Sequence, residues 1–319
     1  MNDQTQNTYG AEHIDPNLDR RLPLAAGLAA VLVSIALVVI KSWTWFETGS
    51  SAVLSSVVDS LIDILISATN LGAIWYASRP ADDDHRHGHG KAEGVAALFQ
   101  SAFIIGSSAF IFLQAVRFIT MKEVIVDHES AIVVMAIAIV LNLALVLFQT
   151  YVKSKTGSLA VEADQAHYSG DIFIHGGVIA SLLADKYAGW GWADPVFAIL
   201  VCVWLAVNAR SIAVKALGML LDRELEESAR EKIVQIIRTQ DGVLGAHDLR
   251  TRRSGRQIKM ALDIEVAPDI PLKQAHDISM ALEARLIAEF PGSEIMIHID
   301  PYGEPEDSRH KHLSDMHII

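Results

Sequence analysis

The sequence predicts an α-helical membrane protein: six transmembrane helices followed by a small cytoplasmic α+β domain of order αββαβ. Three observations carry this expectation. Hydrophobic residues make up 51% of the 319-residue chain, a share that suits several membrane spans plus a soluble piece. Five apolar runs, at 22–46, 50–76, 95–118, 131–151 and 196–216, each reach the roughly 20 residues that a bilayer requires. After Leu217 the long runs stop, and short segments with helix or strand periodicity take over.

Residues 1–21 are polar and acidic and lack the basic-then-apolar pattern of a cleaved signal peptide, so they are expected to form a loose tail. The membrane domain is expected over 22–217. Its fifth span, 161–183, contains Glu162, Asp164, His167, Asp171 and His175. Ile172, Phe173, Val178, Ile179, Leu182 and Leu183 nevertheless leave it an apolar face, so it reads as a span buried within the bundle. Six spans put both termini on one side. Arg20, Arg21, Arg79, Arg86, Lys91, Lys153 and Lys155 then fall in cytoplasmic segments, against Lys122 and Lys186 in the opposite loops, if the N-terminus is inside. Trp43, Trp45, Trp190 and Trp192 cluster near the expected outer ends, as interfacial aromatics do. Lys41, a little deeper, reads most simply as a snorkelling side chain, with a partner inside the bundle as the alternative.

The soluble domain is expected over 218–301. Leu225, Ala229, Ile233 and Ile236 recur at helical spacing; 243–252 and 257–266 read as strands around a Ser254-Gly255 turn; 272–290 is helical and 295–299 is a last short strand. Such a piece, about 80 residues, is small for an independent core, so docking on the membrane part or pairing with a second copy is expected. The tail 302–319, rich in His, Asp and Glu, is expected to be disordered.

The net charge of −12 argues against nucleic acid as a partner and agrees with a chain that handles cations. The single cysteine, Cys202, lies in an apolar run. Neither a disulfide framework nor a thiolate site is available, and any metal must be held by His, Asp and Glu.

Three constellations could hold one. Asp59 and Asp63 in the second span, and His167 and Asp171 in the fifth, are two pairs at four-residue spacing, so each pair shares one helix face. An ionisable group at bilayer depth costs about 2.5 to 3.5 kcal/mol on insertion scales. One carboxylate could serve only to hydrogen-bond a neighbouring helix; two matched pairs point to a cation site with mixed nitrogen and oxygen ligands. His175 continues the same face one turn beyond Asp171 and is either a packing contact or an extension of the path. The second constellation is the loop from Asp82 to His89, dense in acids and imidazoles, which suits either a metal or plain solvation. The third is scattered over the soluble domain. His298 and Asp300 share a strand face, whereas spacing alone does not join His247 and His276 to them.

Together with Arg79-Pro80-Ala81-Asp82-Asp83, Gly88-His89-Gly90-Lys91-Ala92-Glu93, Ala166-His167-Tyr168-Ser169-Gly170-Asp171 and Leu221-Asp222-Arg223, these motifs resemble the cation diffusion facilitator family, most closely its bacterial iron/zinc-type members. The resemblance runs from the first span to Pro301. It implies a homodimeric, multi-pass protein of the bacterial inner membrane with Asp59, Asp63, His167 and Asp171 as transport site. It further implies a loop metal site at Asp82, His85 and His89, a two-metal site at His247, His276, His298 and Asp300, and a salt bridge between Lys91 and Asp222 joining the membrane halves of the dimer. One departure stands out: a histidine common on the second strand of the family has its matching place around Ala261, which is apolar and leaves one of the two domain metals without a ligand. His175 stands where many relatives have a neutral polar residue.

The expected activity is export of a divalent cation from the cytoplasm in exchange for protons. One His with three Asp leans toward Zn2+ or Cd2+; Fe2+, Mn2+, Co2+ and Ni2+ differ by small increments. A metal sensor or scaffold that binds without transport would use the same ligands, and flux discriminates the two. An intramembrane metalloprotease is a poorer fit, since no His-Glu-x-x-His pattern is present, and a passive channel would hold its ion too firmly at a four-ligand site.

Overall fold

The computed structural model describes residues 16–49, 51–121, 129–190 and 192–303. Residues 1–15 of the expected N-terminal tail, Lys122 of an expected outer loop, and 304–319 of the expected C-terminal tail lie outside the described residues. Two compact units are present, one formed by Asn17–Leu217 and the other including everything from Gly218 onward.

The first unit holds six long helices: α1 (Pro16–Thr48), α2 (Ser51–Ala77), α3 (Ala92–Met121), α4 (Glu129–Thr156), α5 (Leu159–Ala188) and α6 (Ala193–Leu220), the last running on into the second unit. Helix α1 takes in Pro16 to Arg21, which the sequence places in a loose tail. Among the described residues, five helices are long and apolar enough to cross a membrane by length and composition: α1, α2, α3, α4 and α6. The sixth, α5, spans 30 residues but is too polar to meet that criterion, its apolar run being interrupted by His167, Ser169, Asp171 and His175.

Helix α5 is accommodated because its polar groups find partners on other helices. In hydrocarbon an unsatisfied polar group costs several kcal/mol, so such a helix is viable only when enclosed. The Tyr168 hydroxyl lies 2.6 Å from Ser34 Oγ of α1 and 2.6 Å from Ser67 Oγ of α2. Asn70 Nδ2 donates to the Ala160 carbonyl, and buried Asp164 accepts from Gln100 Nε2 of α3 and Gln149 Nε2 of α4. At the start of α5 the buried Glu93 carboxylate of α3 accepts from Ser158 Oγ and from the Leu159 N–H, which caps an otherwise orphaned helix end with a negative charge. Small residues let the backbones approach: Ala26, Ala30, Ala96, Ala160, Ala163 and Ala209 are fully or nearly fully buried. A Cβ on Gly170 would sit 2.6 Å from Leu205 Cδ2 of α6, so glycine sets how closely α5 and α6 meet beside Asp171.

The second unit contains α7 (Glu227–Arg238), β1 (Gly245–Ser254), β2 (Gln257–Val266), α8 (Leu272–Glu289) and β3 (Glu294–Pro301), the αββαβ order read from the sequence. Its sheet has the order β1-β2-β3, with β1 antiparallel to β2 and β3 parallel to β2 after the α8 crossover. Ile233 and Ile237 of α7 and Leu282 and Leu286 of α8 pack with Leu249, Leu262 and Ile264 of the sheet in one buried core. Strand β1 is bulged between His247 and Arg250, where Asp248 and Leu249 stand against Leu262 alone, and Asp248 takes a left-handed φ of 52°.

The Tyr168 contacts tie three helices together, so Tyr168→Phe is expected to lower stability in detergent by about 1 kcal/mol. Ser34→Ala is expected to cost less, because the phenol keeps Ser67. Thermal aggregation midpoints of the three proteins check this order.

Candidate metal sites

In the membrane unit, α2 and α5 bring Asp63, His167 and Asp171 together, with one ligand atom from each lying within 4.8 Å of the others. His167 Nε2 is 3.1 Å from Asp63 Oδ1 and 3.8 Å from Asp171 Oδ2. Ligands about 2.0 to 2.2 Å from a tetrahedral zinc stand roughly 3.3 Å apart, so small side-chain adjustments would bring this trio to coordination distance. The imidazole is 8% exposed and is flanked by the Phe103 and Tyr168 rings at 6.2 and 5.2 Å between centroids. Asp59 stands outside this trio among the described residues. One turn beyond Asp171, His175 has its Nδ1 buried with no hydrogen-bond partner.

Lys41 does not snorkel. It is buried, and its Nζ donates to Ser60 Oγ at 2.7 Å and to the Ser56 carbonyl at 3.4 Å, both on α2. Of the two sequence readings, the partner inside the bundle is the one the structure supports.

Between α2 and α3, Asp82, His85 and His89 form a second trio within 4.8 Å. The loop is organised around Asp82: its Oδ1 accepts the backbone N–H of His85 at 2.7 Å and of Asp84 at 3.1 Å, an Asx turn that the chain makes for itself. These contacts, the His85 N–H foremost, hold the Asp82 carboxyl below its ordinary range. Its other oxygen is 3.2 Å from His89 Nε2, and the His89 Nδ1 is buried without a partner. His89 packs edge-on against Tyr76 at 4.6 Å. Two imidazoles and an ionised carboxylate are a donor set suited to zinc and its neighbours.

The sheet of the second unit carries the third group. Asp263 of β2 pairs in register with His247 of β1 on one side and with His298 of β3 on the other. In-register residues on adjacent strands project from the same face, so this row sets His247, Asp263 and His298 side by side. One atom each of His247, Asp248 and Asp263 lies within 4.8 Å of the others. His247 is also 3.8 Å from Glu265 and 3.7 Å from Asp300, and His298 Nε2 is 3.1 Å from Asp300. Glu265 reaches across Gly245, where a Cβ would meet its Oε2 at 2.3 Å. Burial pushes the Asp263 carboxyl up, with Asp248 and Asp300 adding to the rise and His247 and His298 opposing it.

This corrects the sequence-based concern over Ala261. The strand position that faces His247 and His298 is Asp263, so the row holds a carboxylate and no apolar gap. Asp248 and Glu265 join the group without any signal in residue spacing. His276, on α8, is exposed, has Asp277 at 3.8 Å, and stands apart from the trio among the described residues. Asp222, in the left-handed turn that ends α6, faces Arg252 at 3.2 Å.

Two family models match the chain: the cation efflux transmembrane domain over residues 27–221 and the cation efflux protein, cytoplasmic domain over 225–302. The chain is 43% identical over 281 residues to the cation-efflux pump FieF of Cronobacter sakazakii, covering 88% of this chain and 93% of that protein. It is 40% identical over 299 residues to the cation-efflux pump FieF of Yersinia pestis strain Pestoides F, covering 94% and 99%. With both domains matched and nearly the whole length shared with pumps of this kind, the chain belongs to the cation efflux family of membrane transporters and is not an enzyme.

Proposed function

We propose that this protein exports a divalent metal cation, Zn2+ first and Cd2+ or Fe2+ with it, from the cytoplasm in exchange for protons. The observation that carries this is the trio of Asp63, His167 and Asp171, one imidazole between two carboxylates on facing helices deep in the bundle. Asp59 completes a four-ligand set when α2 or its side chain adjusts. The imidazole must be neutral and the carboxylates ionised to coordinate, so metal and protons compete for the same lone pairs. An empty, doubly or triply negative site cannot reorient cheaply through a low-dielectric bundle, whereas a metal-loaded or protonated one can. Fluxes of the two are coupled by that asymmetry. Mn2+ remains a weaker candidate on ligand type.

The same proposal assigns Asp82, His85 and His89 to a second metal site in the loop, and His247, Asp263 and Asp248 with His298 and Asp300 to a site in the cytoplasmic domain. A metal there would supply charge neutralisation to a cluster of carboxylates that the sheet holds together. The protein works as a homodimer in the bacterial inner membrane with both termini cytoplasmic. Support comes from the excess of Arg and Lys in the segments on the terminal side and from the smallness of the soluble unit. Lys91 and Asp222 are proposed to pair between the membrane halves of the dimer. His175 is proposed to lie on the proton path.

In proteoliposomes, His167→Ala and Asp171→Ala are each expected to reduce proton-driven Zn2+ uptake to background; transport at the normal rate by either would remove the central claim. His175→Ala is expected to change the pH profile of transport while leaving the Zn2+ KM near normal, and an unchanged profile would assign it to packing.

For the cytoplasmic domain, Asp263→Asn is expected to lower by at least one the number of Zn2+ bound per full-length chain, measured by native mass spectrometry in detergent. The sign with pH follows from its raised carboxyl. A folded-state value above the unfolded one makes the metal-free domain gain stability as pH falls through that range, whereas metal, which needs the carboxylate, is lost in the same direction. Without metal, Asp263→Asn is therefore expected to melt higher than the native domain at neutral pH.

A further inference from the structure

Lys41 is a basic side chain about two turns from the C-terminal end of α1, 4% exposed, with Nζ donating to Ser60 Oγ and to the Ser56 carbonyl of α2. Ser60 lies between Asp59 and Asp63 in the chain. Through that bond the lysine meets α2 at the turns that carry Asp59 and Asp63, and Asp63 is in turn 3.1 Å from His167 Nε2. Burying an ammonium at this depth is costly unless it is paired. A serine pair alone is a weak reason to keep one there; three carboxylates are a sufficient one.

We propose that Lys41 is a positioning residue that sets the charge the cargo must neutralise. With His167 neutral, three carboxylates carry three negative charges, and the fixed ammonium leaves a net two. A divalent cation, or two protons, then brings the site to neutrality, which is the condition for moving it through a low-dielectric bundle. Lys41 also repels the metal, weakening binding enough for release. Without it, the loaded site keeps one negative charge, grips the metal more tightly and reorients more slowly.

This inference rests on the transport site proposed above, and the test separates the two. Zn2+ transport by full-length protein in proteoliposomes is measured as KM and maximal rate for wild type, Lys41→Gln, Lys41→Met, Lys41→Arg and Ser60→Ala. Removing a unit charge at this range in a partly desolvated site is expected to lower KM about tenfold while the maximal rate falls severalfold in both neutral variants. Lys41→Arg, which keeps the charge, is expected to restore both, and Ser60→Ala, which keeps the charge but loses the hydrogen bond, to stay within about twofold of wild type. Wild-type KM and rate in Lys41→Gln and Lys41→Met would overturn the proposal. So would Ser60→Ala reproducing their defect, since Lys41 would then be only a fastener between α1 and α2. Failure of wild type itself to transport Zn2+ would instead overturn the transport reading.

Discussion

Enclosure of α5 is the constraint on which the rest of the membrane unit depends. A helix bearing Asp164, His167, Asp171 and His175 cannot face lipid without cost, since each polar group left unsatisfied in hydrocarbon is penalised by several kcal/mol. Its neighbours therefore supply what it lacks: hydroxyls from Ser34 and Ser67 to Tyr168, amides from Gln100 and Gln149 to Asp164, and a carboxylate from Glu93 to its first turn. These bonds are made across four different helices, so placing α5 places α1 to α4 around it. Polar contacts that look like concessions in an apolar bundle are what fixes its arrangement.

The same contacts leave one face of α5 incompletely satisfied. Asp164 is served by two amides, but His167 and Asp171 face Asp63, and His175 has no partner for its Nδ1. Anionic groups gathered in a low-dielectric interior repel one another, and only a cation relieves this. Lys41 reaches the same stretch of α2 from α1 through its bond to Ser60. Incomplete compensation therefore supports the proposed transport site as much as ligand type does.

Much of this was legible in the chain itself. The four-residue spacing of His167 and Asp171, and of Asp59 and Asp63, marks helix faces because helical period is a local property. Element order in the soluble domain was equally plain, since its apolar periods are short and bounded by turns. The depth of Lys41 was not, because an isolated cation near a tryptophan pair has the same local pattern whether it snorkels or points inward; the deciding group, Ser60, is on another helix. Gln100 and Gln149 escaped for the same reason, their meeting at Asp164 being a matter of tertiary packing. Asp263 escaped for a different one. Strand partners depend on register, and a slip in register changes which residues share a face; the bulge at Asp248 offsets the counting on β1, so only the observed pairing identifies Asp263 as the residue between His247 and His298.

Bulge and cluster in the soluble unit are connected. A left-handed φ at Asp248 is a conformation that few residues other than glycine and asparagine adopt cheaply, and aspartate is among the tolerated exceptions. Here it turns a carboxylate toward His247 and Asp263 that regular alternation would have placed elsewhere. Gly245 then lets Glu265 lie across the strand to the other side of the same imidazole. Two local departures from ideal strand geometry thus concentrate negative charge around one histidine, at the expense of a raised carboxyl on Asp263. A sheet selected for stability alone would spread those acids apart. Their convergence is what the proposed metal site requires, since a bound cation would relieve the repulsion among them and stabilise the folded domain.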